Sequence, residues 1–152
     1  MRLSVLVMLV LLCGVANVSA KTSKPGWIAD PKTGCRVWNG LPQPNETIIW
    51  TGNCIDKIAQ GKGILRWFEN GKPDEVDDGE LRDGKLFGPV KIKWANGDHF
   101  DGEVHDKGYE GHGIFVYGEA YSAFSAGDRY EGEFHENNFL LTHLPQWSGF
   151  GT

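Results

Sequence analysis

The sequence predicts an all-β fold: an elongated, single-layer antiparallel sheet of successive β-hairpins, with a Pro/Gly-rich N-terminal leader and a C-terminal cap. Three observations carry this. First, a glycine grid recurs. Gly52, Gly79 and Gly102 are followed nine positions on by Gly61, Gly88 and Gly111, and eleven on by Gly63, Val90 and Gly113. Fifteen positions on stand Trp67, Trp94 and Tyr117. Second, apolar and polar residues alternate with the period of a strand. Third, the turn dipeptides Asn70-Gly71, Asp83-Gly84 and Asn96-Gly97 fall where hairpins need them. Units this short cannot bury a core alone, so they must stack.

Residues 1–20 read as an export signal. Arg2 gives a positive start, residues 3–15 are almost wholly apolar, and Val18-Ser19-Ala20 supplies a small-residue cleavage pattern near Ala20. The apolar run falls short of the ~20 residues that a spanning helix needs. An uncleaved anchor is the alternative. A lipoprotein site at Cys13 fits less well, because Leu12 precedes it where a small residue is wanted. Removing residues 1–20 from the 152 leaves 132, enough for one domain, and moves the formal charge from −5 to −6. The expected location is periplasmic or secreted. The acidic balance argues against nucleic acid as a partner and disfavours membrane lipid, since both reward basic patches.

Residues 21–49 form the leader. Pro25, Pro31, Pro42 and Pro44 interleave with Gly26, Gly34 and Gly40, so little regular structure is expected before Asn45. A short strand or knot at residues 34–38 is the exception. Cys35 and Cys54 are the two cysteines after the signal. In an exported chain they are more simply a disulfide than a metal site, which would want about four ligands. Two separate buried thiols are the alternative. Asn45-Glu46-Thr47 matches a glycosylation sequon and receives no role.

Residues 50–139 form the array. With the first glycine of each unit as position zero, positions −2, 0 and +2 read Trp50-Gly52-Cys54, Asp77-Gly79-Leu81, Phe100-Gly102-Val104 and Tyr130-Gly132-Phe134. The intervening positions are polar, so each hairpin has one apolar face. Pairing +2 with +11 would set Trp50 against Trp67, Phe100 against Tyr117, Glu80 against Lys91 and Asp78 against Lys93. Glycine weakens strands, so its recurrence at zero, +9 and +11 implies that only hydrogen fits beneath the large rings. The first glycines are spaced by 27, 23 and 30 residues, which places insertions around residues 72–75 and 119–126. Asp77 stands where the other units carry a ring, leaving Trp94 without an aromatic opposite. The fourth unit stops at Phe139, and residues 140–152 are expected to cap the open end through Leu141, Leu144, Trp147 and Phe150.

No catalytic residue, metal site or cofactor is predicted. The acidic pairs Asp78/Glu80, Asp101/Glu103 and Glu131/Glu133 flank glycines on the polar side, with no calcium-loop spacing. The histidines His99, His105, His112, His135 and His143 lack zinc-ligand spacing. Ser122, Ser125 and Ser148 lack a nucleophile elbow. Gly61-Lys62-Gly63 and Gly111-His112-Gly113 lie mid-grid, with no helix following to receive a phosphate.

The grid resembles the MORN repeat. The residues that carry the resemblance are Tyr130-Glu131-Gly132-Glu133-Phe134, the run from Asp78 through Gly79-Glu80-Leu81-Arg82-Asp83-Gly84 to Lys85, and Gly61-Lys62-Gly63-Ile64-Leu65-Arg66-Trp67 with Asn70-Gly71 beyond it. It spans residues 50–139, and the leader, with Trp50-Thr51-Gly52-Asn53-Cys54, is similar to exported bacterial members. The resemblance implies a twisted sheet of hairpins and a role in protein contacts or scaffolding. Enzymes of the family carry catalysis in separate domains, for which no residues remain here.

The sequence thus reads as an exported, non-enzymatic repeat module with an unidentified protein partner in the cell envelope. Its candidate binding face is the ladder Trp67, Trp94 and Tyr117, with Trp94 the ring expected to be most exposed. Glycan or small-ligand binding through that aromatic ladder is the alternative.

Overall fold

The computed structural model describes residues 24–106, 108–120 and 124–136. The signal and the cap lie outside them, as do Phe139, His143 and Trp147. The fold is all-β, with no helix among the described residues. Its strands are β1 (Gly26–Ala29), β2 (Arg36–Asn39), β3 (Glu46–Trp50), β4 (Asn53–Ile55), β5 (Ile58–Glu69), β6 (Lys72–Arg82), β7 (Lys85–Trp94), β8 (His99–His105), β9 (Gly108–Val116) and β10 (Arg129–Phe134). They form one open sheet in the order β1-β2-β5-β6-β7-β8-β9-β10. From β5 onward, each strand pairs antiparallel with the next in sequence. On the other side of β5, its C-terminal half pairs with β3 and its N-terminal half with β4.

The turn chemistry explains the tight hairpins. Asn70 and Gly71 have φ of 51° and 76°, and Asp83 and Gly84 have 49° and 74°, so both central residues are left-handed, as a two-residue hairpin wants. Asp56 and Lys57 turn in the same way between β4 and β5.

The hairpin register differs from the expected one by two residues. Gly79 faces Val90, Asp78 faces Lys91, Glu80 faces Phe87, Phe100 faces Phe115 and Trp50 faces Leu65. The cause is the tight two-residue turn, and the bulge at the +9 glycine recovers only half of the offset it sets. Asp83-Gly84 sets Arg82 against Lys85, and a bulge at Gly88 and Pro89 then adds two residues on β7. Gly61, Gly88 and Gly111 have φ of 76°, 75° and 69°. A Cβ on Gly88 or Gly111 would meet nothing within 4 Å. The +9 glycines therefore serve backbone conformation, as in glycine bulges, and not ring packing.

Glycines at zero and +11 do serve packing. The ring two residues earlier in the chain folds over them. A Cβ on Gly52 would lie 2.2 Å from the Trp50 ring, on Gly102 2.4 Å from Phe100, and on Gly132 2.6 Å from the Tyr130 hydroxyl. Gly63 and Gly113 lie under the same rings from the neighbouring strand, at 2.7 Å and 2.9 Å.

The leader is more regular than its prolines suggest. It supplies β1, β2 and β3, because Asp30 organises the chain around it. Asp30 is 1 % exposed, and its carboxylate accepts N–H groups from Trp50 (3.0 Å), Lys32 (2.8 Å) and Thr33 (3.3 Å). Burial pushes this carboxyl up, but those donors outweigh it and hold it below its usual range. Cys35 and Cys54 form a disulfide with Cα atoms 5.8 Å apart, tying the start of β2 to β4. Closing such a loop contributes ~3 kcal/mol in the chain-entropy estimate.

The core lies on one face. Cys35, Val37, Ile48, Trp50, Ala59, Leu65 and Leu81 form a first cluster, and Val90, Ile92, Phe100, Val104, Phe115 and Phe134 a second, with Leu86 packed against both. The other face carries charge, as in the ion pairs Lys91–Asp101 and Arg129–Glu131. Such exposed pairs contribute little.

Candidate functional site

The ladder residues Trp67, Trp94 and Tyr117 are all half-buried and pack against the core clusters. Trp94 is not the lone, open ring expected. Its ring centroid lies 5.8 Å from that of Phe115, and its indole N–H donates to Glu75. Tyr117 stacks on Phe124, at 4.5 Å and 7° between planes. The more exposed tryptophans are in the leader, where Trp27 (47 %) and Trp38 (37 %) meet edge to face at 5.6 Å.

The register places a carboxylate inside the ladder. Glu75 on β6 pairs with Trp67 on β5 and with Trp94 on β7, so it sits between two rungs. The residues read as an insertion form no loop. Lys72 to Glu75 begin β6 and bring Glu75 onto the apolar face. Two residues on, Asp77 faces Leu65 and Ile92 and is 1 % exposed. Its Oδ2 accepts the Trp67 indole N–H at 3.0 Å. Its Oδ1 is buried with no hydrogen-bond donor among the described residues.

Two ionised carboxylates cannot satisfy one another, whereas a proton held between them can. Burial, then the negative charge of Glu75, then a hydrogen bond donated to Glu75 push Asp77 up to about 9. Burial also raises Glu75, with the Asp77 and Trp94 hydrogen bonds opposing it. At neutral pH Asp77 therefore keeps its proton and donates it to Glu75. Tyr109 is pushed up as well, by burial and by these two acids.

The pair lies on the floor of an open groove of about 360 Å³. Val37 and Trp38 of the leader form one wall, Leu65 and Trp67 line the floor, and Leu86, Val104 and His105 lie opposite. A second hollow of about 420 Å³ is lined by Asp74, Trp94, Ala95, Asn96, Asp98, Tyr109 and Phe115. No group of three or more His, Cys, Asp or Glu among the described residues could hold a metal ion.

Sequence reasoning missed Glu75 and Asp77 as a pair. The available signal was Asp77 itself, an acid at a position where Trp50, Phe100 and Tyr130 stand in the other units. The mistaken register put Asp77 opposite Trp94 and left Glu75 in a supposed loop.

No protein-family model matches the chain. A search of curated proteins finds no match either.

Proposed function

We propose that this chain is an exported, non-enzymatic repeat module of MORN-like build that holds a protein partner against the apolar face of its sheet. The observation that carries the reading is the groove between the leader and the hairpins, where a single-layer sheet leaves apolar and aromatic side chains open at its floor and wall. Interfaces concentrate their energy in such aromatic pockets. The Cys35–Cys54 disulfide is compatible with an oxidising compartment, which supports export. A glycan or small ligand is the second reading, favoured by a groove volume in the range typical of small-molecule sites.

The test compares three exposed apolar residues. Trp38 lines the groove, while Ile49 and Ile55 are exposed and do not line it. Trp38→Ala should lower cross-linked capture of envelope proteins by about tenfold or more, with Ile49→Ala and Ile55→Ala unchanged. Equal capture by all three variants removes the reading. Saturable quenching of tryptophan fluorescence by a sugar, lost in Trp38→Ala, replaces it with the second.

A further inference from the structure

We infer that Glu75 and Asp77 form a receptor for a guanidinium group, presented by an arginine side chain of the partner; this rests on the protein-binding reading above. The groove carries a carboxyl pair that no basic group among the described residues meets. Among the described residues, no lysine, arginine or histidine lies within ion-pair reach of either acid. The basic groups lining the same groove are engaged elsewhere: Lys85 lies over the Trp38 ring at 5.9 Å, and His105 meets Glu103 and the Phe87 ring. The two acids are thus left without a basic partner in a groove to which Asp106 adds a further carboxylate. The whole chain, at a formal −5, would attract a basic segment from a distance.

The chemistry of the two acids narrows the cation. Asp77 is 1 % exposed, lines the groove, and keeps Oδ1 without a donor. A proton shared with Glu75 supplies that donor when the chain is alone. A guanidinium supplies it together with a full positive charge. Both indole N–H groups are already aimed at the carboxyls, which fixes the acceptors in place. Trp67 lines the groove beside Glu75 and Asp77, so a planar cation entering there gains ring contact as well as hydrogen bonds. A planar fork of donors suits two neighbouring carboxyls better than the point charge of an ammonium.

The experiment follows the indole N–H resonances of the full exported chain, ¹⁵N-labelled with its disulfide intact. The probes are N-acetylarginine amide and N-acetylcitrulline amide, which share a shape and differ in charge. The arginine probe is expected to shift the Trp67 and Trp94 signals saturably, and the citrulline probe to bind at least about tenfold more weakly. Glu75→Gln should abolish the arginine response. Asp77→Asn, which keeps the Glu75 charge, should retain it within a few-fold. Equal responses to the two probes overturn the inference. So does the absence of a saturable shift at Trp67 and Trp94, or full binding by folded Glu75→Gln. Should Glu75→Gln fail to fold, the contrast between probes still decides. A positive probe response with no dependence of capture on Trp38 keeps the cation site and discards the protein-binding reading. Trp38-dependent capture with no probe response does the reverse.

Discussion

The second unit and its neighbours solve the same packing problem in opposite ways. In units one and three a ring at position −2, Trp50 or Phe100, lies across its own strand, and the glycines at zero and +11 make room for it. Unit two has Asp77 at −2 and Val90 at +11. A Cβ on Gly79 would meet not a ring but Val90 Cγ2, at 2.9 Å. The valine has taken the space that the ring left, and Val90 is 3 % exposed as a result. The lesson is that Asp77 is no isolated departure: its small side chain and Val90 form one exchange of volume between facing strands. That exchange keeps the core filled while freeing a buried position for an acid.

The largest effect should come from forcing a side chain under a ring. Gly102→Val places atoms 2.4 Å from Phe100 and should cost about 3 kcal/mol or more, the upper range of overpacking. Gly108→Val falls at the first residue of β9, with φ of 119°, and should cost about 1–2 kcal/mol for conformation alone. Urea unfolding midpoints compare them, and equal midpoints would contradict the packing role of the zero glycine.

The volume exchange itself can be reversed. Asp77→Phe alone crowds Val90, and Val90→Gly alone opens a void. Together they restore the arrangement of units one and three. The double variant should be more stable than the sum of the singles by about 1–3 kcal/mol, as expected for residues in direct contact. Strict additivity would show that Asp77 and Val90 are unrelated.

The effect of pH is the most specific to unit two. The folded chain holds the Asp77 proton more tightly than the unfolded chain does. The group's stabilising contribution is therefore complete below its ordinary value of 3.8 and is lost as pH rises towards about 9. Asp77→Asn keeps an acceptor for Trp67 and offers N–H to Glu75 at every pH. It should match the parent near pH 3 and become increasingly the more stable of the two as pH rises to 8. Parallel pH–stability curves for the two proteins would mean that no proton is shared.

Much of this fold was legible in the residues, and the illegible parts have two physical origins. Alternation at Trp50-Gly52, Phe100-Gly102 and Tyr130-Gly132 identified the apolar face. Asp83-Gly84 and Asn70-Gly71 fixed the turns, and the cysteine count pointed to the disulfide. The glycines at +9, however, look identical in sequence to those at zero and +11. Gly88 is glycine because of its φ and Gly102 because of its neighbour, and letters do not separate the two reasons. Pairing +2 with +11 took account of neither the two-residue turn at Asp83-Gly84 nor the bulge at Gly88, and the resulting register, two residues out, hid Glu75 between Trp67 and Trp94. The leader was illegible for another reason. The donors that Asp30 gathers include the distant Trp50, and local composition carries no trace of such a contact.

The way β5 is shared has a consequence for how such a chain can lengthen. At one end of the sheet, β1 and β2 have four residues each, and β2 meets β5 at a single parallel pair, Arg36 and Ile58. So short and irregular a border is a poor template for another strand. Every later hairpin repeats the same antiparallel neighbour relation. Duplication can therefore add hairpins on the β10 side of β5, but not ahead of the leader. Each added hairpin lengthens the sheet by two strand spacings, about 10 Å. The array behaves as a ruler with a fixed zero, and its number of units sets the length of the sheet.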